Sequence, residues 1–220
     1  FVLQNFNNFL RSTSGNMFLY NFIFLLSYIM IYLFYNFCQY RMKNYDILKK
    51  IVSKQDIDKF NHLLLNRNFP WFFEHQTNDN PFNYSNTFEH IAFVHWFILN
   101  SKENSKYIGQ FKYIIKKLPI KYEKVLRAKV NLLPQIKHNE DQYNSPHIDL
   151  PDRSGKEYKI CILYLNDSDG DTFLFKDRKI IKRIKPKTGN ALIMNGDVPH
   201  SSSHPIKNKF RIVLNINYLS

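Results

Sequence analysis

In the stretch SPHIDLPDRSG, residues 145–155, His147 and Asp149 flank a single isoleucine. On an extended backbone their side chains project to the same side. Much later, NGDVPHSSSHP supplies His200 between two runs that read as strands, and beyond it Arg211 interrupts the apolar run FRIVLNINYL. The chain holds eight histidines, so a His-x-Asp pair alone specifies little. The set of four specifies more. Two imidazoles and one carboxylate form the facial triad that binds non-haem Fe(II) and leaves coordination positions open. A buried arginine is costly unless it meets an anion, and the far carboxylate of a dicarboxylic co-substrate chelating the metal would be one.

Other assignments compete with this one. His204, in HSSSH, is the alternative second ligand, but it lies closer to Arg211, and the apolar lead-in ALIMNGDVP favours His200. His147 and Asp149 could instead cap their loop with Ser154. His138 precedes the motif in a loop and reads as exposed or substrate-facing. His62, His75, His90 and His95 have no carboxylate at ligand spacing, which marks them as structural or surface residues. On the strand before the motif, Lys129 and Asn131 could point into the site.

The elements that must hold these residues follow from periodicity. From Tyr45 to Asn66 the apolar residues recur at helical spacing, and Ser53 followed by Asp56 resembles a capping box, so a helix is expected to start near Lys54. Residues 66–86, broken by Pro70, Pro81 and several asparagines, read as loop. FEHIAFVHWFI (88–98) reads as a buried strand with a helix as the alternative; SKYIGQFKYIIKKL (105–118) reads as a helix ending at Pro119. The runs 123–133, 158–166, 172–175, 178–185, 190–195 and 209–219 are short, β-branched and aromatic, and are separated by turn-formers. That is the pattern of an antiparallel sandwich or barrel. Helices first and strands after predict one α+β domain. The loops 67–87, 134–146 and 150–157 are expected to shape the substrate entrance.

The 220 residues carry a formal net charge of +13. The lysines are scattered apart from KDRKIIKRIKPK (176–187), whose alternating charges and isoleucines read as a strand pair with one solvated face rather than a nucleic-acid patch. Cys38 and Cys161, the only cysteines, exclude a cysteine-rich zinc site and fit a reducing, intracellular setting. Between Arg11 and Arg41 there is no charge, and MFLYNFIFLLSYIMIYLFYNF (17–37) is long enough to span a bilayer as a helix. Arg41, Lys43, Lys49 and Lys50 would then keep the rest of the chain in the cytoplasm. A second reading makes residues 1–41 an upstream extension that the cell does not translate, with Met42 opening a cytoplasmic domain. Either way the chemistry belongs to 42–220.

In type, order and spacing, His147, Asp149, His200 and Arg211 resemble the signature of the Fe(II)- and 2-oxoglutarate-dependent dioxygenases: His-x-Asp, a long gap, His, then Arg or Lys. Three further runs resemble the prolyl-4-hydroxylase-like branch. YKICILYLND places Tyr164 where that branch has a tyrosine touching the 2-oxoglutarate carboxylate. DGDTFLF is similar to its Gly-Gly-x-x-x-Phe turn, with Asp171 in place of the second glycine, and IKPKTGNALIMNGD is similar to the lead-in to its second histidine. FPWFF, FEH, KVNLLP and NINY resemble features of small oxygenases in phage-like and metagenomic sequences, so the likeness spans nearly all of 45–219.

The resemblance implies a double-stranded β-helix, or jelly-roll, core with N-terminal flanking helices. It implies Fe(II) on His147, Asp149 and His200, 2-oxoglutarate on Arg211 and Tyr164, O2 as the other co-substrate and ascorbate as a stimulant. The implied reaction hydroxylates a C–H bond of a prolyl-like peptide residue, or of a free amino acid or small metabolite, with succinate and CO2 as co-products. Asp149 departs from the related halogenases, which carry a small residue there, and Asn217 departs from nucleic-acid dealkylases, which carry a second arginine. A non-catalytic cupin-like binding protein would use His-x-His with a later Glu, which the sequence lacks.

Overall fold

The computed structural model describes residues 44–75, 87–88, 91–153 and 157–220. The hydrophobic segment 17–37 lies outside the described residues; among those described, no helix is long and apolar enough to cross a membrane. The described strands and helices all belong to the unit Asn44–Ser220.

Strands are numbered in chain order. A large antiparallel sheet runs β1 (Tyr45–Leu48), β11 (Ala191–Asn195), β8 (Lys159–Tyr164), β13 (Phe210–Leu219), β6 (Lys124–Pro134), β4 (Ile91–Leu99), β2 (Phe72–His75), with β5 (Lys102–Glu103) added to β4. A smaller sheet runs β10 (Lys179–Ile184), β9 (Thr172–Lys176), β12 (His200–Ser202), and His147 adds a one-residue bridge to His200. The short strands β3 (Thr87–Phe88) and β7 (Tyr143–Asn144) pair in parallel. Two helices, α1 (Lys54–Leu64) and α2 (Ile108–Ile115), complete the described elements.

The sequence of β13 explains the layering. Ile212, Leu214, Ile216 and Tyr218 pack in one core with Ile57, Phe60 and Leu64 of α1 and Phe111, Ile114 and Ile115 of α2. The alternate residues point the other way, and Val213 joins a second core with Ile160, Ile162, Tyr164 and Leu174. A strand covered on both faces reads as nearly continuous apolar sequence. Arg211, Asn215 and Asn217 share the face of Val213, so three polar side chains are delivered to the interior between the sheets.

The helix expected to start near Lys54 does so. Ser53 caps α1, its Oγ accepting from the Asp56 amide at 3.1 Å and donating to Asp56 Oδ2 at 2.8 Å. Tyr45–Leu48, which share the helical spacing, instead pair with β11 as an edge strand. Lys50 takes a left-handed φ of 50°, which ends the strand before the helix can begin. Of the run 88–98, the residues from Ile91 onward settle as strand: β4 pairs with β2 on one side and β6 on the other. The basic run forms a β9–β10 hairpin turned by Asp177 and Arg178 at φ 50° and 62°. Its second strand is more open than expected, with Ile180 and Ile181 both exposed. Lysines along that free edge discourage pairing with another chain.

Candidate metal centre

The two sheets enclose a cavity of about 300 Å³ whose walls include His147, Asp149, His200 and Arg211. Backbone pairing positions the first ligands. The His147 N–H donates to the His200 carbonyl and the His200 N–H donates to the His147 carbonyl, both at 3.0 Å. In such a hydrogen-bonded antiparallel pair the two side chains leave the ladder on one side. The imidazole centroids accordingly lie 4.7 Å apart, tilted by 50°.

Each ring is also oriented. Nδ1 of His147 lies 3.2 Å from the Ser145 carbonyl, and Nδ1 of His200 lies 3.1 Å from the Val198 carbonyl. A carbonyl only accepts, so each Nδ1 carries the proton and each Nε2 keeps its lone pair for a metal. Asp149 Oδ1 is 3.6 Å from His147 Nε2. Its Oδ2 accepts from Asn217 Nδ2 at 2.8 Å and Asn215 Nδ2 at 3.1 Å, and its backbone carbonyl accepts from Arg127 Nη1 at 2.6 Å. One candidate ligand atom from each of the three residues lies within 4.8 Å of the others. Tyr158 ties the two halves together: its hydroxyl accepts from the Leu150 amide at 3.1 Å and donates to the Gly196 carbonyl at 2.9 Å.

The protonation states suit a cation. Burial pushes the Asp149 carboxyl up, but the neighbouring His147 and His200 and the Asn217 amide hold it well below the usual range. Burial drives His200 down to about 4, and His147 acts in the same direction. At neutral pH the site therefore presents a carboxylate and a neutral His200 imidazole, the forms in which these groups ligate.

Arg211 is buried on another wall of the same cavity. Its Nη2 donates to Thr172 Oγ1 at 2.8 Å, while its Nε is buried with no hydrogen-bond partner among the described residues. Asp171 commits Oδ2 to Arg183 instead. The Tyr164 hydroxyl donates to the same Thr172 Oγ1 at 3.1 Å. Tyr164 thus lies behind Thr172, wholly buried, its phenol pushed up to about 12 by burial, and Thr172 is the residue that reaches the cavity. With Oγ1 accepting twice, the Thr172 hydroxyl proton is free to point at a ligand.

The remaining histidines separate from the site. His204 is buried with Nδ1 at 2.8 Å from the Pro134 carbonyl, and of the two histidines of HSSSH it is His200 that lies with His147 and Asp149. His138 Nε2 lies 2.9 Å from the His204 carbonyl. His95 is a core residue between the Pro70 carbonyl at 2.9 Å and Ser105 Oγ at 2.7 Å, and His62 sits in the last turn of α1. His90 and Ser154 lie outside the described residues, and His75 is described only as backbone of β2. Lys129 and Asn131 do line the cavity, as does Arg127. Asn215, Asn217 and Thr172 do not stand out in the sequence. The signal for the two asparagines is their parity with Arg211 along one strand.

No protein-family model matches the sequence, and no curated protein matches it. Solved structures match in fold. A 2OG-Fe(II) oxygenase family oxidoreductase from Burkholderia pseudomallei superposes with a TM-score of 0.59 at 12% identity, covering 83% of this chain and 88% of that one. A prolyl hydroxylase from Trichoplax adhaerens, solved with a hypoxia-inducible-factor peptide fragment, gives 0.54 at 16% identity over 82% and 86%. A Pseudomonas putida prolyl-4-hydroxylase gives 0.53 at 15% identity over 81% and 94%. Sheet order, flanking helices and these superpositions agree: the chain has the jelly-roll fold of the 2OG-Fe(II) oxygenases and prolyl hydroxylases.

Proposed function

We propose that the protein is a 2-oxoglutarate-dependent dioxygenase that uses Fe(II) to hydroxylate a C–H bond. One observation carries the reading: a single cavity holds a preorganised His–Asp–His donor set and a buried arginine with an N–H that nothing described satisfies. The donor set fits iron. Nε2 of His147 and His200 and Oδ1 of Asp149 would hold it, two neutral nitrogens and one anionic oxygen being the set associated with non-haem Fe(II). Bound there with 2-oxoglutarate, iron supplies the oxidation of the C–H bond by O2, with succinate and CO2 released.

The chain's own residues do the rest. Arg211 pairs with the far carboxylate of 2-oxoglutarate through its planar fork. Thr172 donates to the same carboxylate and is itself held by Tyr164, so the tyrosine acts through the threonine. Asn215 and Asn217 keep Asp149 Oδ2 occupied, which leaves Oδ1 for the metal. Leu133, Ile162 and Val213 line the cavity with apolar surface and limit water around the reacting atoms. Catalysis is assigned to residues 42–220 and to the cytoplasm, with 17–37 as the segment that would anchor the protein to a membrane.

For the substrate, a prolyl-like residue of a peptide is supported by the fold shared with prolyl hydroxylases, one of them solved with a peptide. A free amino acid is the second reading, favoured by paired opposite charges on the cavity wall. The test of the chemistry is succinate release from 2-oxoglutarate with Fe(II) and ascorbate. Wild type should form succinate; Asp149→Ala should lose it together with metal binding, and Arg211→Ala should lose it while keeping metal. A wild-type protein that neither binds Fe(II) nor converts 2-oxoglutarate sinks the proposal.

A further inference from the structure

The same cavity has a charged wall that takes no part in the 2-oxoglutarate seat proposed on Arg211 and Thr172. Glu74 reaches it from β2, beside Arg127 and Lys129 of β6. Glu74 Oε2 is buried and accepts no hydrogen bond among the described residues; the Lys129 ammonium forms an ion pair with it at 3.6 Å, longer than a hydrogen bond. Lys129 also faces a neighbouring ring. Its Nζ lies 4.8 Å from the centroid of the Trp96 ring, and the Arg127 guanidinium carbon lies 5.0 Å from the same centroid. Arg127 is further fixed by the Asp149 carbonyl. The wall therefore presents an ion pair whose carboxylate oxygen still has room for a hydrogen-bond donor.

We propose that Glu74 and Lys129 form a receptor for a free α-amino acid as the substrate to be oxidised, an inference that rests on the dioxygenase reading. The substrate ammonium sits on Glu74 Oε2 and its carboxylate on Lys129. In an α-amino acid the two charges are separated by one carbon, which suits a pair whose charged atoms are 3.6 Å apart. Laid against each other in opposite sense, the two zwitterions neutralise both partners without changing the net charge of the site. A residue inside a peptide chain offers Glu74 only a neutral amide and offers Lys129 only a carbonyl, so it meets neither charge with an opposite one. Size points the same way. A volume of about 300 Å³ is at the lower end for small-molecule sites, and the co-substrate must share it.

The test is binding, with the full chain loaded with Zn(II), which is redox-silent, and 2-oxoglutarate. Each of the common free L-amino acids is titrated and followed by thermal shift and calorimetry. The N-acetyl derivative of any that bind, and a tripeptide with that residue at its centre, are titrated in the same way. At least one free amino acid should bind. N-acetylation or peptide linkage should weaken it tenfold or more. Glu74→Gln should weaken the free form by a similar factor while 2-oxoglutarate affinity stays within twofold, which also certifies the variant's fold. The inference is overturned if no free amino acid binds, if the acetylated or peptide form binds as tightly, or if Glu74→Gln binds like wild type. Metal and 2-oxoglutarate binding that persist through such a failure leave the dioxygenase reading standing. Loss of those two in the wild type removes that reading itself.

Discussion

The two oxygens of Asp149 have different tasks, and side-chain amides decide which does which. Asn217 and Asn215 hold Oδ2, so the carboxylate cannot rotate to present either oxygen at will. Asn217→Ala should lower Fe(II) affinity by about 10- to 100-fold, the range for outer partners of metal ligands. Competition titration against a chelator measures it, and an unchanged constant would count against the assignment. Thr172→Val removes the acceptor shared by Arg211 and Tyr164. It also removes the hydroxyl proposed to donate to the 2-oxoglutarate carboxylate, and a hydrogen bond to a charged group is worth about 1.5–3 kcal/mol, so 2-oxoglutarate should bind at least tenfold more weakly while Fe(II) affinity is untouched; weakening of both would mean the fold had moved. His147, Asp149, His200 and Arg211 were legible in the sequence because each is polar in apolar or turn-rich surroundings. Thr172 was not, since a threonine opening a strand is ordinary, and only the register that sets it beside Arg211 distinguishes it. Tyr164 entered only through the resemblance, as a residue touching 2-oxoglutarate, and its separation from the cavity by the Thr172 hydroxyl depends on packing that no spacing encodes.

Among the elements, turns do as much positioning as strands. Asp167 pins the turn into β11: its carboxylate accepts from Lys187 Nζ at 2.6 Å, from the Thr188 amide at 2.8 Å and from the Thr188 hydroxyl at 2.9 Å. The Lys187 bond, then those from Thr188, hold its carboxyl down at about 2, from an ordinary 3.8. A carboxyl acidified by folding stabilises the fold above its unfolded value, and the contribution is lost as pH falls through the folded value. Asp167→Asn should therefore lower the denaturation midpoint at neutral pH, modestly because the pair is solvated. The gap from wild type should close as pH falls from 3.8 towards 2; a gap constant across that range contradicts the assignment. The next turn residue, Gly189, has φ +77°, and a Cβ there would collide with the Val52 carbonyl oxygen. Ser53 and its helix were readable from the sequence because a cap is local chemistry. Strand β1 was not, because Tyr45–Leu48 carry helical spacing and become a strand only through the free edge of β11.

Across the whole unit, one thiol reports on integrity. Cys161 is free and fully buried in the core between β13 and the helices, and burial pushes it up to about 12. It should resist iodoacetamide until the unit opens as a whole. In a Cys38→Ser background, Zn(II) with 2-oxoglutarate should slow labelling further, because ligands that bind only the folded state lower the open population. Rapid labelling of the folded protein would mean that the core opens locally. At this scale the α+β class and the β-rich second half were legible from run length and turn composition. The order of the strands was not, since β13, last in sequence, lies between β8 and β6, and that pairing is set by two-sided burial.

The reciprocal backbone pair between His147 and His200 bears on how quickly a metal is captured. Both ligands are rungs of one ladder, so their spacing is fixed when the chain folds and does not depend on an ion to gather them. An arriving cation would find two of its ligands already paired, with Asp149 in the bend that follows. Its rate of entry would then depend on shedding its water and on the width of the cavity mouth more than on rearrangement of the two histidines.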